Sequence, residues 1–172
     1  MTALRSPSQI VRGLFLDSLL FMNLLPPRPI RLLDIGAGSG IPGLPLRLAD
    51  DRISLTLIES KRKRVSFLLA ACRELDLPDV RIGEGRAEEL VERESDLADS
   101  FDAVVARAVG DESFLVAVGS RYVRSGGIIA IAGSPRVAAA PPFEVIRVQS
   151  PGTRGTRVFL RAPKQGTVPR GT

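Results

Sequence analysis

The hydrophobic positions of this chain change period several times, and each change marks an element. After Ser6-Pro7, residues Ile10, Val11, Leu14, Phe15, Ser18 and Met22 recur at helical spacing, predicting a helix over 7–25. Proline is tolerated in its first turn, and Pro26-Pro27 stop it because the residue before a proline disfavours the helical region. The pattern then becomes short apolar runs rich in β-branched residues. Arg31–Ile35, Ser54–Ile58, Val80–Ile82, Phe101–Ala106 and Ile128–Ala132 each read as a strand.

Helical spacing returns between these runs. One helix ends near Leu48. A second is capped by Ser60 and runs to about Leu75, with Val65, Leu68, Leu69, Cys72 and Leu75 on one face. Ala87–Arg93 is a short charged helix, and Ser113–Val123 is another, stopped near Gly126-Gly127. Beyond them, Phe143–Gln149 and Thr156–Arg161 alternate apolar and polar residues, the mark of half-exposed antiparallel strands.

Repeated strand–helix units followed by a hairpin predict an α/β fold. Its sheet is doubly wound and mostly parallel, covered by helices on both faces, with a C-terminal antiparallel hairpin. A ligand in such a fold is expected at the carboxyl ends of the strands. The 172 residues suit a single domain, 1–172, with its core in 30–163 and a loose Pro/Gly-rich tail at 164–172.

Composition narrows the chemistry. There is no His, so the commonest general base and metal ligand is missing. The single cysteine, Cys72, excludes an internal disulfide and a multi-cysteine metal site, and its place on an apolar helix face reads as core. No metal is expected. The net charge of +5 favours an anionic partner such as RNA, although arginine-rich surface usage gives the same figure. The apolar stretch from Leu14 to Leu25 contains Asp17 and falls short of the roughly 20 residues a span needs, so a cytoplasmic protein is expected.

The most informative segment is Leu32-Leu33-Asp34-Ile35-Gly36-Ala37-Gly38-Ser39-Gly40. An apolar strand ends in an acidic residue and runs into glycines at alternate positions. Glycine serves where the backbone takes positive φ or must approach a ligand closely, and the helix that follows offers free N–H groups. Gly38 through Gly43 formally satisfy the dinucleotide pattern G-x-G-x-x-G, so a nicotinamide cofactor stays open on the glycines alone. The first glycine after the strand is Gly36, however, which shifts the register away from that pattern. Glu59 ends the second strand about 20 residues on, where a carboxylate can accept from both hydroxyls of a ribose. A solvated strand-end Glu would look the same. Arg107, at the carboxyl end of a buried strand, could bind a carboxylate or a phosphate, or simply reach solvent from the sheet edge.

Several ordered motifs carry a closer likeness. Asp34-Ile35-Gly36-Ala37-Gly38-Ser39-Gly40-Ile41-Pro42-Gly43-Leu44-Pro45-Leu46, with its two prolines, is the first of them. Leu16-Asp17-Ser18-Leu19, then Glu59-Ser60 with Lys63-Arg64-Val65 and Phe67-Leu68, are two more. Gly85-Arg86-Ala87-Glu88-Glu89 and Phe101-Asp102-Ala103-Val104-Val105-Ala106-Arg107-Ala108 complete the set. Together these resemble the small-subunit rRNA guanine-N7 methyltransferase G family, also called glucose-inhibited division protein B. The resemblance implies a Rossmann-like class I methyltransferase that uses S-adenosyl-L-methionine. It implies cofactor contacts from Asp34, Gly36, Gly38, Gly40, Ile41, Glu59, Ala87, Glu88 and Arg107. It also implies a guanine N7 of 16S rRNA, free or in a precursor of the small ribosomal subunit, as the acceptor. A monomer is expected. Lys63, Arg64 and Arg86 are the candidate RNA contacts. The sequence departs from the family at Gly13-Leu14, where an Arg-His pair is usual, and at Ala132-Gly133, where Lys-Gly is usual. A same-fold methyltransferase with another acceptor and an inactive cofactor-binding module are the competing expectations.

The acceptor chemistry is consistent with the residues. Guanine N7 has a lone pair and no proton, so its methylation needs orientation more than a base. Cytosine C5 chemistry would need a cysteine nucleophile after the fourth strand. Amine methylation commonly uses an Asn or Asp before Pro-Pro and an aromatic. Ala140-Pro141-Pro142-Phe143 has only the outline of that motif and reads as a loop.

Overall fold

The computed structural model of the protein describes residues 11–26, 29–107, 111–132, 144–149 and 156–163. Its seven strands form one sheet: β1 (Ile30–Ile35), β2 (Ile53–Glu59), β3 (Arg81–Glu84), β4 (Phe101–Arg107), β5 (Val123–Ala132), β6 (Glu144–Gln149) and β7 (Thr156–Pro163). Their spatial order is β3-β2-β1-β4-β5-β7-β6. Strands β1 to β5 pair in parallel, and β7 pairs antiparallel with both β5 and β6. The doubly wound sheet and its terminal hairpin are therefore as the periodicity predicts. The strand order reverses between β1 and β4, which sets the switch point at the end of β1.

Helices cover both faces. On one side lie the helical run 11–23 (α1), α2 (Gly43–Ala49) and α3 (Arg62–Glu74); on the other, α4 (Ala87–Arg93) and α5 (Glu112–Tyr122). The core divides accordingly. Leu32, Leu55, Leu57 and Val105 pack with Phe21, Leu44, Leu46 and Leu68 on the first face. Leu33, Ile58, Val104 and Ile129 pack with Leu90, Leu115, Val118 and Tyr122 on the second. Alternate residues of the central strands thus go to opposite cores, which is why those strands read as continuous apolar runs.

Four expectations need correction. The helix expected over 7–25 is an irregular run in its described part, with a π-helical stretch Val11–Leu16, an α-turn Asp17–Leu19 and a 3-10 turn Leu20–Asn23. Its expected start lies outside the described residues. Ser60 does not cap α3. The cap position is Lys61, whose side chain makes no cap bond, because Glu59 folds back and its carboxylate accepts the Lys61 N–H at 2.9 Å. On α3 only Val65, Leu68 and Cys72 are buried; Leu69 and Leu75 are 52% and 41% exposed. The buried stripe is thus narrower than a count of apolar residues suggests. Finally, Gly126-Gly127 do not end a helix. α5 stops at Tyr122, and the glycines sit in β5, where the register with β4 jumps from Phe101↔Val123 to Ala103↔Ile128. Gly126 takes φ 76° within this bulge. The Ala140–Phe143 loop and the tail 164–172 lie outside the described residues.

Candidate active site

The carboxyl ends of β1, β2 and β4 bring most of the expected residues to one edge of the sheet. At its centre is the turn from β1 into α2. Gly36, Gly38 and Gly40 all have positive φ, at 70°, 61° and 82°. That conformation costs an L side chain roughly 1–2 kcal/mol per residue, so alternate glycines are what the turn demands. Around Gly38 the space is open: a Cβ there would meet only the Gly36 carbonyl at 3.7 Å and the Arg64 guanidinium at 4.0 Å. At Gly40 it is closed, since a Cβ would fall 2.3 Å from Leu44 Cδ1. The loop is therefore packed below and vacant above.

Two buried carboxylates hold the loop from either side. Glu59, at the end of β2, is 3% exposed. Its Oε2 accepts the Gly38 N–H at 3.0 Å, and its Oε1 accepts the Lys61 N–H. The Arg64 guanidinium lies 3.5 Å from the same Oε2 and is half-exposed. Asp34, at the end of β1, is fully buried. Its Oδ2 accepts the Gly43 N–H at 2.8 Å, at the start of α2, whereas its Oδ1 has no hydrogen-bond partner among the described residues. A buried acceptor without a donor is costly and points to a group that would supply one.

Burial pushes the Asp34 carboxyl up to about 7, with the nearby Glu59 adding to the rise and the Gly43 N–H opposing it. The folded protein therefore holds a proton that the unfolded chain, near 3.8, gives up. The stability from this proton is complete below pH 3.8 and is lost as pH rises through about 7. Melting curves should show Asp34→Asn to be flatter than wild type between about pH 5 and pH 8, and more stable at the upper end by roughly 1–3 kcal/mol. Parallel pH profiles for the two proteins would show that Asp34 does not titrate in this range.

The other expected residues are less convergent. Ile41 is half-buried in the turn. Ala87 is buried at the start of α4, and Glu88 beside it is half-buried, with its carboxylate 3.6 Å from the Arg86 guanidinium. Tyr122 fixes this end of α4 by donating its hydroxyl to the Ala87 carbonyl at 2.6 Å, and burial pushes its phenol up to about 12. Arg86 and Lys63 are exposed. Arg107 is half-buried at the end of β4 and donates to the Gly13 carbonyl at 3.3 Å; burial lowers its affinity for its proton. The sequence reading missed the partner set around Arg107. Asp17, buried in α1, accepts from Arg157 of β7 at 2.6 Å and lies within electrostatic reach of Arg107. A carboxylate inside an apolar helical stretch was the available signal, since a buried charge calls for a partner. Cys72 is buried in the core as expected.

Comparison with known proteins identifies the family and the fold. The family model described as rRNA small subunit methyltransferase G matches residues 1–136. A ribosomal RNA small subunit methyltransferase G from Sorangium cellulosum is 38% identical over 138 residues, covering 79% of this chain and 57% of the relative. Its counterpart from Xanthomonas oryzae pv. oryzae is 35% identical over 165 residues, covering 91% of this chain and 74% of the relative. Among solved structures, a SAM-dependent methyltransferase from Aquifex aeolicus superposes with a TM-score of 0.63 at 12% identity, covering 91% of this chain and 93% of that one. A precorrin-6y C5,15-methyltransferase from Geobacter metallireducens gives 0.62 at 18% identity, covering 96% and 93%. These structural likenesses establish a class I methyltransferase fold. With that fold and the family match over residues 1–136, the chain belongs to the rRNA small subunit methyltransferase G family.

Proposed function

We propose that the chain transfers a methyl group from S-adenosyl-L-methionine to N7 of a guanine in 16S rRNA, within the small ribosomal subunit or its precursor. The observation that carries this reading is the open glycine loop between the Glu59 carboxylate and the donor-less Asp34 Oδ1. Family membership supplies the acceptor.

The residues fit the cofactor. A carboxylate has about four acceptor positions; the Gly38 and Lys61 N–H groups and, at 3.5 Å, the Arg64 guanidinium take three of those on Glu59, which leaves one, on Oε1, for a ribose hydroxyl. Gly36, Gly38, Gly40 and Ile41 let the chain pass close to the ligand, and Asp34 Oδ1 accepts from its polar end. Ala87 and Glu88 border the adenine, and the Arg107 guanidinium receives the carboxylate. When bound, the cofactor supplies a methyl group made electrophilic by its sulfonium. The chain's own work is to orient the base, exclude water and leave N7 unprotonated, which a sequence without His can do. Lys63, Arg64 and Arg86 face the RNA phosphates. We take residues 1–172 as one monomeric, cytoplasmic domain working without a metal ion. No helix among the described residues is long and apolar enough to cross a membrane.

The test has two parts. S-adenosylhomocysteine at a hundred times its Kd should stabilise the protein by about 2.7 kcal/mol in a thermal melt, whereas NAD should have no effect. Small subunits lacking the modification should gain one 7-methylguanosine in 16S rRNA, read by nucleoside mass spectrometry. Preference for NAD, or a mass unchanged after incubation with active protein, would overturn the proposal.

A further inference from the structure

Two arginines and one carboxylate lie at the carboxyl edge of the sheet, where β4 ends beside β1 and the glycine loop begins. Arg107 ends β4 and stands level with Ala132 of β5, and Ala132 is paired with Phe159 of β7. Because β7 runs antiparallel, Arg157 lies beyond that row, on the ligand side of the sheet. Asp17 of α1 pairs with Arg157 and lies within electrostatic reach of Arg107. It accepts from Arg157 at 2.6 Å and is 7% exposed, while Arg157 is 42% exposed. Gly13, whose carbonyl receives Arg107, is four residues before Asp17 and so shares its side of α1.

The ion pair is not what docks α1. Phe21 already packs edge-on against Phe159 at 4.8 Å, and Leu20 and Leu24 join the same core. A buried ion pair adds little net stability once its desolvation is counted. What it adds is direction: it fixes the rotation of α1, and that rotation sets where the Gly13 carbonyl points. Arg107 has five N–H donors, and among the described residues only one is used, on a neutral carbonyl. Its remaining donors stay half-buried at the edge where an anionic ligand group would lie.

We propose that Asp17 is a positioning residue: by clasping Arg157 it orients α1 so that the Gly13 carbonyl holds the Arg107 guanidinium ready for the carboxylate of the cofactor. This rests on the cofactor role proposed for Arg107, and the test keeps the two claims separate. Binding of S-adenosylhomocysteine is compared with binding of methylthioadenosine, which shares the nucleoside but lacks the amino-acid carboxylate. Calorimetry should show Asp17→Asn to weaken S-adenosylhomocysteine about tenfold, the scale of one hydrogen bond to a charged group, and methylthioadenosine less than about twofold. Arg107→Ala should give the same split. If Asp17→Asn does not fold, Arg157→Gln removes the same pair from its exposed side and should reproduce the effect. Equal weakening of both ligands by the Asp17 variant would mean a structural role only, and unchanged binding of both would overturn the proposal outright. If Arg107→Ala weakens RNA retention but neither small ligand, Arg107 serves the RNA and the positioning claim fails with it. A wild-type protein that binds S-adenosylhomocysteine yet leaves rRNA unmethylated would refute the acceptor assignment alone.

Discussion

Gly40→Ala is expected to lower the unfolding midpoint by about 5–15 °C, far more than the same change at Gly38. Two costs combine. The residue has φ 82°, a conformation that costs alanine about 1 kcal/mol or more. The new Cβ would also lie 2.3 Å from Leu44 Cδ1, 2.8 Å from Leu44 Cγ and 3.3 Å from Leu68 Cδ2. Both leucines are buried, at 5% and 0% exposure, so neither can swing aside freely. Overpacking of this kind adds roughly 1–3 kcal/mol. Gly38→Ala is the matched control: its φ is similar, but its nearest neighbour is 3.7 Å away. It should cost only about 1 kcal/mol in stability, while placing a methyl group in the open space above the loop. Circular dichroism melts of both variants check this. Equal midpoints for the two would mean that Leu44 and Leu68 yield, and the packing described beneath the loop would be wrong.

Glu59→Gln should weaken S-adenosylhomocysteine by about a hundredfold, although only one atom changes. Each carboxylate oxygen of Glu59 accepts a backbone N–H, one from Gly38 and one from Lys61. A glutamine has only one acceptor oxygen. Whichever way the amide turns, its NH2 must face a backbone donor inside a site that is 3% exposed. A buried donor left unsatisfied costs about 1–3 kcal/mol, and the loop can escape this cost only by moving Gly38. The substitution therefore removes a ribose acceptor and disturbs the loop together. Isothermal titration reads the affinity, and a melt without ligand reads the loop. An affinity within about threefold of wild type would remove Glu59 from the candidate site.

The parts of the fold legible in the sequence are those where one physical rule dominates. β1, β2 and β4 are buried on both faces, and the adjacent apolar pairs and runs in them, Leu32-Leu33, Leu57-Ile58 and Ala103–Ala106, say so. Ala87–Arg93 is a helix within the bounds its charge and apolar spacing predict. The gathering of Asp34, Glu59 and the glycines also follows from topology, because adjacent parallel strands end at one edge. What was not legible depended on long-range pairing. Ser60 is a good cap by residue type, but the Glu59 carboxylate, held in the loop, takes that role for the backbone next to it. Gly126-Gly127 look like a helix stop, yet β5 needs them to bulge against β4. Leu69 and Leu75 match the helical period, but α3 meets the sheet along too narrow a line to bury them. The Asp17–Arg157 pair spans 140 residues of sequence, and no local pattern reports such a contact.

The place of β7 has a consequence for how the molecule is made. This last described strand lies inside the sheet, between β5 and β6. A chain emerging from its N-terminus completes β1 through β5 first, and these already bury most of both cores. Until Thr156–Pro163 emerges, β5 presents a bare edge carrying Ile129 and Ile131, and Phe21 lacks its ring partner Phe159. An unpaired apolar edge of this kind is a template for association with other chains. The interval between synthesis of Ala132 and of Thr156 is therefore the stretch of biosynthesis in which this protein most needs protection from its neighbours.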